Sequence, residues 1–371
     1  MTKLILTGGF LGSGKTTLLK QVARRMSERR RSVGTIVNDQ APGLADTAIL
    51  SGCSCGVKEV AGSCFCCDFH AFEAAVQSLI DRGADIILAE PVGSCTDLAA
   101  TILQPLKDRR PDIDVAPFTV LVSPDHVREA LGESESELHP NALYILRLQM
   151  AESDRLLLNK IDLLDATERA ALTVLLREAF PNRPIGELSA ATGEGIDAWM
   201  ADVLAGGEAG SHVVDVDYDR YAEGEAVLGW LNAVIHLEAV EADADFLRPA
   251  IALITALHGS LRESRTEVGH VKIVVTAGEE QRTANLTNVD GAVIVPDQSA
   301  LRGGRGTLIL NARVQAAAEF LEAIVREAMS RLSGPSVRAL TTEFRCLTPG
   351  RPQPTYRYPT AGTRGGADRP Q

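Results

Sequence analysis

The sequence predicts an α/β protein in which a doubly wound parallel sheet is followed by a second, smaller α+β domain. Between residues 3 and 204, short apolar runs alternate with amphipathic stretches of helical length, as in parallel strands joined by crossover helices. A glycine-rich turn separates the first apolar run from the first helical stretch. A chain of 371 residues is long enough for two domains, since domains commonly span about 100 to 200 residues.

Six apolar runs are the candidate strands of the first domain. Ligands of doubly wound sheets bind at the carboxyl edge of the strands, so the residues that directly follow each run are the candidate binding residues. The runs lie at residues 4–7, 32–38, 85–90, 117–122, 155–159 and 185–188.

The alternation ends near residue 205, where small and glycine residues have the composition of a flexible linker. Beyond it, apolar strands at 226–237, 270–276 and 306–310 and helices at 245–262 and 314–332 predict a small domain with an antiparallel sheet. The last residues are rich in proline and glycine, which indicates an extended or partly disordered tail. We therefore expect a first domain at 1–204, a linker at 205–224, a second domain at 225–334 and a tail at 335–371.

Composition and charge exclude several classes of function. Charged residues make up 23% of the chain and hydrophobic residues 45%, which is the balance of a folded soluble protein. The formal net charge of -12 would repel nucleic acid, so we expect no nucleic-acid partner. The amino terminus is too poor in apolar residues for a signal peptide, and no stretch approaches about 18 consecutive apolar residues. We therefore expect no membrane partner and a cytoplasmic protein.

The glycine-rich turn at residues 9–16 reads GFLGSGKT and fits the phosphate-loop pattern G-x-x-x-x-G-K-[ST]. Its glycines let backbone N–H groups surround phosphates, and the helix that follows points its positive dipole end at the same anion. Lys15 is predicted to contact the β- and γ-phosphates, and the Thr16 hydroxyl to bind Mg²⁺. The first domain is thus predicted to be a P-loop domain. Its predicted nucleotide contacts in this turn are Gly9, Gly12, Ser13, Gly14, Lys15, Thr16 and Thr17.

A second motif predicts that the base is guanine. Asn159, Lys160 and Asp162 form an N-K-x-D pattern directly after an apolar run. A carboxylate at a strand end can accept hydrogen bonds from N1 and N2 of guanine. Adenine lacks this donor pair, so a buried Asp162 would stay unpaired against it. Backbone amides near Ser189 and Ala190 are predicted to contact guanine O6. These residues predict binding of GTP and GDP.

The third element is the apolar run at 85–90, which ends in an acid, Glu90, with Gly93 three residues later. Glu90 is predicted to lie near Mg²⁺ or its water, and the Gly93 N–H to sense the γ-phosphate. The alternative is an acid that only terminates a strand. Asp39, after the second run, could bind Mg²⁺ or orient water, and is equally a candidate cap or turn residue. The predicted catalytic set is Lys15, Thr16, Asp39, Glu90 and Gly93, with Thr16 and Glu90 as magnesium ligands.

Five of the seven cysteines lie within fifteen positions, which in a reducing compartment indicates metal or redox chemistry. Cys64, Cys66 and Cys67 form C-x-C-C, whose thiolates suit Zn²⁺, Co²⁺, Ni²⁺ or Cu(I). Adjacent cysteines reach one ion only through a special turn, so two or three ligands are expected from this motif. The alternatives are a structural zinc site or unliganded thiols. Further candidates to complete the metal shell are Cys53, Cys55 and His70.

Together these motifs resemble the CobW/HypB/UreG family of metal-associated P-loop GTPases, and most closely its CobW-like branch. In that family, a glutamate followed three residues later by glycine replaces the more usual aspartate, and C-x-C-C binds a transition metal linked to GTP hydrolysis. By resemblance, Glu90 takes the Mg²⁺-associated role, and Cys64, Cys66 and Cys67 take the metal role. The resemblance rests on ordered segments at 8–17, 37–38, 64–67, 90–93 and 159–162.

The resemblance also implies a slow GTPase that delivers metal to a client protein or a cofactor-biosynthesis enzyme. Zn²⁺ is the first expectation, with Co²⁺ or Ni²⁺ as alternatives, and homodimerisation is left open. The chain departs from the family pattern in three ways. Pro91 and Val92 precede Gly93 where the family usually has Ser or Thr, no histidine-rich stretch is present, and Cys53, Cys55 and Cys95 are additional thiols.

The leading hypothesis is a nucleotide-driven metallochaperone. In it, the γ-phosphate and Mg²⁺ order the loops after the second and third strands, and that geometry changes the thiol site. The competing hypothesis is a regulatory GTPase switch for a partner enzyme, with a corrinoid-related enzyme as one candidate. Its cysteines would hold a structural zinc or sense redox state.

Overall fold

The structure, a computed structural model, describes residues 1–39, 45–50, 54–132, 136 and 138–362. These residues form two compact units. The first contains the described parts of 1–40, 49–224 and 351–371, and the second contains those of 41–48 and 225–350. No helix within the described ranges has both the length and the apolar composition needed to cross a membrane.

A parallel sheet forms the framework of the first unit. Its strands, within the described residues, are β1 (Thr2–Gly8), β2 (Val33–Asp39), β3 (Val57–Ala61), β4 (Ile86–Glu90), β5 (Ile113–Val115), β6 (Thr119–Val122), β7 (Arg155–Leu158) and β8 (Ile185–Glu187). They lie in the order β3-β2-β4-β1-β6-β7-β8, and β5 pairs with β1. β2 and β4 are buried along their whole length, as expected for strands covered on both faces. Because the pairs are parallel, the carboxyl ends of the strands meet at one edge.

Helices join these strands, and polar side chains mark where several of them begin. Asp68 accepts a hydrogen bond from the backbone of the first turn of the third helix, and Ser123 and Asp165 take part in capping boxes. A π-helical turn at Ala99–Leu103 leads into the fourth helix, and a 3₁₀ turn at Ile161–Leu163 follows β7. The helices up to residue 226 are α1 (Lys15–Glu28), α2 (Ala45–Ile49), α3 (Phe69–Asp81), α4 (Gln104–Arg109), α5 (Pro124–Leu131), α6 (Pro140–Glu152), α7 (Ala166–Ala179), α8 (Ile196–Ala205) and α9 (Tyr218–Ala226).

The second unit is an antiparallel sheet with helices packed on it. Besides most of α2, its described elements are β9 (Gly229–Ala239), α10 (Leu247–Glu263), β10 (Val268–Ala277), β11 (Glu280–Leu286), β12 (Arg305–Val314), α11 (Ala318–Met329) and β13 (Val337–Leu347). The strand order is β11-β10-β12-β9-β13. Alternate residues of β9, such as Leu231, Ala233 and Ile235, are fully buried in one core with the apolar faces of α10 and α11.

The predicted fold class is confirmed: a doubly wound parallel sheet of the P-loop type, with a second unit of antiparallel sheet and helices. The sequence does not predict β3, β5, β11 or β13. Three of these, β3, β11 and β13, lie at sheet edges, where a strand has one neighbour and needs no continuous apolar run. β13 also falls in the stretch that the sequence assigns to the tail.

Two segments differ from the domain organisation expected from the sequence. The expected linker contains the start of α9, and its Gly210 and Ser211 N–H groups donate to the Asp154 carboxylate (2.7 and 2.9 Å). Residues 351–362 of the expected tail belong to the first unit, where the Thr355 N–H donates to a backbone oxygen (2.7 Å). Backbone groups bonded to fixed partners hold these glycine- and proline-rich segments in place without regular structure.

Candidate nucleotide site and thiol cluster

The phosphate loop follows β1 and runs directly into α1. Gly9, Gly12 and Gly14 adopt φ angles of 135°, 76° and 96°, a region that favours glycine. A Cβ atom at Gly14 would overlap Nδ2 of Asn159, so no larger residue fits there. Gly14 is also the N-cap of α1 and supplies no side-chain cap to the first N–H groups of the helix. This backbone is therefore suited to surround a phosphate.

Polar side chains of the predicted catalytic set converge at the end of β4. Lys15 Nζ lies within the loop and donates to the carbonyl oxygens of Gly9 and Phe10 (2.7 and 3.3 Å). Thr16 Oγ1 donates to Glu90 Oε1 (2.9 Å), and both side chains are buried. Two predicted magnesium ligands are thus adjacent, and Mg²⁺ prefers oxygen donors. The residues present fit this ion.

The loop after β4 packs against the phosphate loop. A Cβ atom at Gly93 would lie 2.6 Å from Leu11 Cδ2 and 3.2 Å from the Leu11 nitrogen, so glycine permits this approach. From α6, Gln149 Nε2 donates to the carbonyl oxygens of Gly93 and Cys95 (3.0 and 2.8 Å). Asp39 is buried at the carboxyl end of β2, on the same sheet edge. The geometry brings Gly93 beside the phosphate loop.

Asn159 connects the phosphate loop to the loop after β8. Its Nδ2 donates to Ser13 O (2.7 Å), and its Oδ1 accepts from Ala190 N (2.9 Å). Ser189, next to Ala190, is buried. The first residue of the N-K-x-D motif therefore positions both segments that are predicted to hold the nucleotide.

Asp162 differs from the expectation in one respect. The sequence predicts a buried carboxylate, whereas the structure places Asp162 exposed in the 3₁₀ turn after β7. Lys160 begins this turn with a left-handed backbone (φ 63°). The turn carries Asp162 beyond the buried end of the strand.

His126 is a residue of this site that the sequence does not single out. Its ring lies edge-on to Phe10 of the phosphate loop, with centroids 5.6 Å apart. Its Nδ1 accepts from Ser123 N at the start of α5 (3.3 Å). Burial, and then the charges of Lys160 and Lys15, lower the pKa of His126 to about 3, so the ring is neutral at pH 7. An isolated histidine carries no motif, and only the fold reveals this contact.

The C-x-C-C segment forms a tight turn between β3 and α3. The N–H groups of Cys67 and Asp68 both donate to Cys64 O (3.0 and 3.1 Å). The turn brings the sulfurs together: Cys64 and Cys66 are 3.2 Å apart, Cys64 and Cys67 3.0 Å, and Cys66 and Cys67 3.8 Å. With Zn–S bonds of about 2.3 Å, tetrahedral zinc places its sulfurs roughly 3.8 Å apart, so the cluster would open by less than ~1 Å. These thiols fit a zinc-sized cation.

Hydrogen bonds among the thiols favour their protonated forms. Bonds to Cys64, Cys67 and Cys95, in that order, raise the pKa of Cys66 well above its usual value, and burial acts in the same direction. The bond to Cys64 is also the main cause that raises the pKa of Cys67 to about 12. Because the thiolate is the metal ligand, metal binding here would release protons and be favoured by higher pH.

Asn38, near the end of β2, holds the turn that carries the cysteines. Its Nδ2 donates to the carbonyl oxygens of Val60 and Ser63 (both 2.8 Å), and its Oδ1 accepts from Phe65 N (2.8 Å). The side chain is buried, so these bonds are shielded from water. Asn38 is therefore a positioning residue for the thiol cluster.

Residues 351–358, termed here the C-terminal strap, lie against the cluster. Thr355 N donates to Cys66 O (2.7 Å), and Thr355 Oγ1 donates to Cys67 O (3.0 Å). Gln353 N donates to Cys67 Sγ (3.1 Å). These contacts join residues more than 280 positions apart in sequence. No motif in the sequence predicts them.

Cys55 lies at the amino-terminal ends of the parallel strands, whereas the thiol cluster lies at their carboxyl ends. Its N–H donates to Val33 O (2.9 Å) at the start of β2, and its Sγ donates to Arg82 O (3.7 Å). All five residues of β3 separate it from the cluster, a span of about 15 Å. The prediction that Cys55 completes the metal shell is therefore corrected, and Cys53 lies outside the described residues. Among the described residues, the compact metal-ligating group consists of Cys64, Cys66 and Cys67, without His70.

The phosphate loop and the thiol cluster lie at the same edge of the parallel sheet. The loop follows Gly8 at the carboxyl end of β1, and the cluster follows Ala61 at the carboxyl end of β3. β2 and β4 lie between these strands in the sheet. Asn38 of β2 bonds to the cysteine turn and Glu90 of β4 bonds to α1, so the intervening strands reach both sites.

The sheet order, the phosphate loop and the helix that follows it define a P-loop nucleotide-binding protein. Residues 3–186 match the family described as CobW/HypB/UreG, nucleotide-binding domain. Residues 3–186 are thus a nucleotide-binding domain of this family, in its CobW-like branch.

Two curated relatives match part of the chain. The zinc chaperone CobW of Pseudomonas aeruginosa is 28% identical over 205 residues, covering 47% of this chain and 52% of that protein. The zinc chaperone YeiR of Escherichia coli strain K12 is 29% identical over 165 residues, covering 44% of this chain and 47% of that protein. The chain thus spans about half the length of the curated relatives it matches.

Solved structures give weaker likenesses. HypB from Helicobacter pylori in complex with nickel has a TM-score of 0.40 and 16% identity, covering 55% of this chain and 86% of that chain. Zn(II)-bound YjiA GTPase from E. coli has a TM-score of 0.34 and 14% identity, covering 90% of this chain and 99% of that chain. These scores are low, and the likenesses carry no functional inference.

Proposed function

We propose that this chain is a GTP-hydrolysing metallochaperone in which nucleotide state controls a transition-metal site formed by Cys64, Cys66 and Cys67. The observation that carries this proposal is the shared sheet edge: the thiol turn and the phosphate loop are joined there by the ends of β2 and β4. Membership of the CobW/HypB/UreG family and the names of the two zinc-chaperone relatives support it. Zn²⁺ is the first candidate cargo, with Co²⁺ or Ni²⁺ as alternatives.

In the proposed nucleotide site, each segment at the carboxyl edge of the parallel sheet has its own role. Backbone N–H groups of residues 9–17 and Lys15 bind the phosphates, while Asp162 and the amides of residues 189–190 bind guanine. Mg²⁺, held by Thr16 and Glu90, would neutralise charge on the β- and γ-phosphates. The Asn159 bonds to Ser13 O and Ala190 N keep the phosphate and base segments in register.

Hydrolysis requires a water molecule aligned with the γ-phosphate. Asp39 at the end of β2 is the candidate to orient that water, and the Gly93 N–H is the candidate to donate to a γ-phosphate oxygen. The packing of Gly93 against Leu11 supports this second role, because it places the loop after β4 directly beside the phosphate loop. Loss of the γ-phosphate removes one acceptor from that loop.

The same loops would also control the metal site. Asn38 bonds to the cysteine turn, and the loop after β4 carries a further buried thiol, Cys95. A change in the loop on hydrolysis therefore alters the thiol site and favours transfer of the metal to a client protein or a cofactor-biosynthesis enzyme. A cytoplasmic location remains a prediction.

The test compares GTP hydrolysis with and without Zn²⁺ in the full chain and in Cys66→Ser/Cys67→Ser. The double variant should lose metal binding and the metal-dependent part of the rate. The control is Cys346→Ser, which removes a thiol of β13 and should behave as wild type. An unchanged metal affinity and rate in the double variant would refute the proposal. Calorimetry should show uptake of GTP in preference to ATP.

Metal removal distinguishes cargo from the competing reading, a regulatory switch with a structural zinc. A cargo site predicts that the metal-free chain stays folded with altered GTP turnover, whereas a structural site predicts unfolding. The sulfur separations of 3.0 to 3.8 Å also bear on redox sensing. Reversible disulfide formation under mild oxidation, with GTP turnover following it, would favour that role.

A further inference from the structure

The first half of the C-terminal strap lies over the cysteine turn. Pro352 and Pro354 are buried and fix two φ angles, so this part of the strap loses little chain entropy when it docks. Gln353 N donates to Cys67 Sγ (3.1 Å), and the Thr355 hydroxyl donates to Cys67 O (3.0 Å). Cys67 is the most accessible thiol of the cluster. The strap therefore bonds to the thiol through which the cluster is reached.

The second half of the strap is anchored to the segment that follows β4. Arg357 Nε donates to Asp97 Oδ2 (2.7 Å), and Tyr358 N donates to Ala100 O (3.0 Å). The Tyr358 hydroxyl also donates to Asp108 Oδ2 of α4 (2.8 Å). The strap therefore joins the cysteine turn to the loop after β4, two segments of the first unit that are distant in sequence.

Asp97 is the central residue of this anchor. Its side chain is 1% exposed, and its Oδ2 also accepts from the Tyr218 hydroxyl (2.6 Å). Arg357 supplies the positive charge that a buried carboxylate requires. The backbone φ of Asp97 is 63°, a left-handed conformation that a residue with a side chain keeps only where its surroundings impose it. Such a residue is suited to an element that exchanges between two arrangements.

The loop that carries Asp97 begins at the proposed γ-phosphate sensor. Gly93 lies four residues before Asp97, and α6 supports the stretch between them with two buried side chains. Gln149 donates to Gly93 O (3.0 Å), and Glu152 accepts from Thr96 Oγ1 (3.0 Å). Because these bonds make the stretch one supported segment, a displacement of Gly93 is expected to reach Asp97.

We propose that the C-terminal strap is a nucleotide-controlled cover of the metal site. It stays over Cys67 while the γ-phosphate holds the loop after β4, and it withdraws when hydrolysis lets that loop relax. This inference rests on the proposed function and names the segment that regulates metal release. Asp97 and Arg357 are positioning residues that act through the strap. Withdrawal of the strap exposes Cys67 to a ligand of the client, which agrees with metal transfer after hydrolysis.

The first measurement follows the strap itself. Amide hydrogen exchange of residues 351–358 is compared in the metal-free full chain with a non-hydrolysable GTP analogue and with GDP. The Gln353 and Thr355 amides are hydrogen-bonded when the strap is in place, so they should exchange several-fold more slowly with the analogue than with GDP. In Arg357→Ala they should exchange fast with either nucleotide. Arg357→Lys, which keeps a cation for Asp97, should restore part of the difference.

Arg351→Ala is the matched control, because it removes an arginine of the same strap that pairs with Asp219 at an exposed position. It should keep the wild-type difference between the two nucleotides. If wild type shows no such difference, or if Arg357→Ala keeps it, the inference fails. The proposed function would still stand, since it is tested by metal binding and metal-dependent GTP hydrolysis in the cysteine variants.

The second measurement follows the cargo. The Zn²⁺-loaded full chain is mixed with a chromogenic chelator, and the rate of zinc transfer is recorded with the GTP analogue and with GDP. Wild type should transfer zinc several-fold faster with GDP. Arg357→Ala and Thr355→Val, which loosen the two halves of the strap separately, should transfer it at the fast rate with both nucleotides. A difference that survives in both variants would refute the role of the strap alone. Equal wild-type rates with the two nucleotides would refute the proposed function as well.

Discussion

The phosphate loop and the thiol cluster lie at one edge of one sheet, but different parts of the chain hold them. The phosphate loop takes its shape from its own glycines and the start of α1, with Asn159 as its distant support. The cysteine turn depends on two distant partners: Asn38 on β2 and the C-terminal strap. A site shaped by local backbone is fixed, whereas one assembled from distant segments can be adjusted by them.

The largest expected effect is that of Lys15→Ala, which should impair GTP hydrolysis and leave metal binding by the thiol cluster unchanged. Lys15→Ala removes the cation predicted to contact the β- and γ-phosphates, so GTP hydrolysis should fall by about 10²- to 10³-fold, measured as phosphate release. Zn²⁺ affinity without nucleotide should stay unchanged, because Lys15 Nζ donates to the carbonyl oxygens of Gly9 and Phe10 within the phosphate loop. Lys20→Ala, an exposed position on the same helix, is the control. If Zn²⁺ affinity fell by the same factor as GTP hydrolysis, the phosphate loop and the thiol cluster would not be positioned independently.

Substitution of Asn38 should have the opposite result, a loss of metal affinity with GTP affinity changed far less. Asn38→Ala leaves the carbonyl oxygens of Val60 and Ser63 and the Phe65 N–H without this partner, so the cysteine turn loses its restraint. Zn²⁺ affinity, measured by chelator competition, should fall by roughly 10- to 100-fold, with GTP affinity changed far less. Asn38→Asp keeps the acceptor for Phe65 N and should lie between wild type and Asn38→Ala. Equal losses of metal and GTP affinity would contradict this assignment.

A smaller effect is expected at the C-terminal strap. Arg357 Nε donates to buried Asp97 (2.7 Å) and Arg357 Nη2 donates to Val214 O (2.9 Å). Arg357→Ala should loosen the strap, so that Cys67 is accessible for a larger fraction of the time. In the reduced, metal-free chain, iodoacetamide should therefore modify Cys67 several-fold faster than in wild type. Arg351→Ala is the matched control, because Arg351 pairs with Asp219 at an exposed position. Equal rates in the two variants would show that the Asp97 contact does not hold the strap.

The same contrast explains which features the sequence can predict. The residues of the phosphate loop are contiguous, and their glycines carry the backbone angles that the motif requires, so the pattern itself describes the geometry. The cysteine turn is also contiguous, and its thiols lie together as the spacing suggests. What surrounds the turn is not contiguous. Contacts from Asn38, Gln353 and Thr355 follow from the folded chain, and no local pattern marks them.

The unpredicted strands have a related cause. β3 carries Lys58 and Glu59 and β13 carries Arg338 and Glu343, so neither reads as a buried apolar run. Both are edge strands, in which one side of the backbone pairs with a neighbour and polar side chains remain accessible. Because the sequence does not predict β3, Cys55 is expected near the C-x-C-C motif, whereas β3 separates the two.

The last prediction concerns the pH dependence of Glu152, which supports the loop that the two regions share. Its carboxylate accepts from Thr96 Oγ1 and from Ala99 N (both 3.0 Å). Burial, with a further contribution from the charge of Asp97, raises the pKa of Glu152 to about 8. In the unfolded chain this carboxyl titrates at about 4.3, so between these values the folded state binds more protons. The stability of the first unit is therefore greatest below about pH 4 with respect to this group, and declines as the pH rises toward 8.

Glu152→Gln keeps a neutral side chain of the same shape and should flatten that decline, by roughly 3 to 4 kcal/mol between about pH 5 and 8. The measurement is the urea midpoint of the first unit at several pH values. Glu178→Gln, which removes an exposed carboxyl of α7, is the control and should follow wild type. If Glu152→Gln also follows wild type, the Glu152 carboxyl titrates alike in the folded and unfolded chain, and its burial does not control the pH dependence of stability.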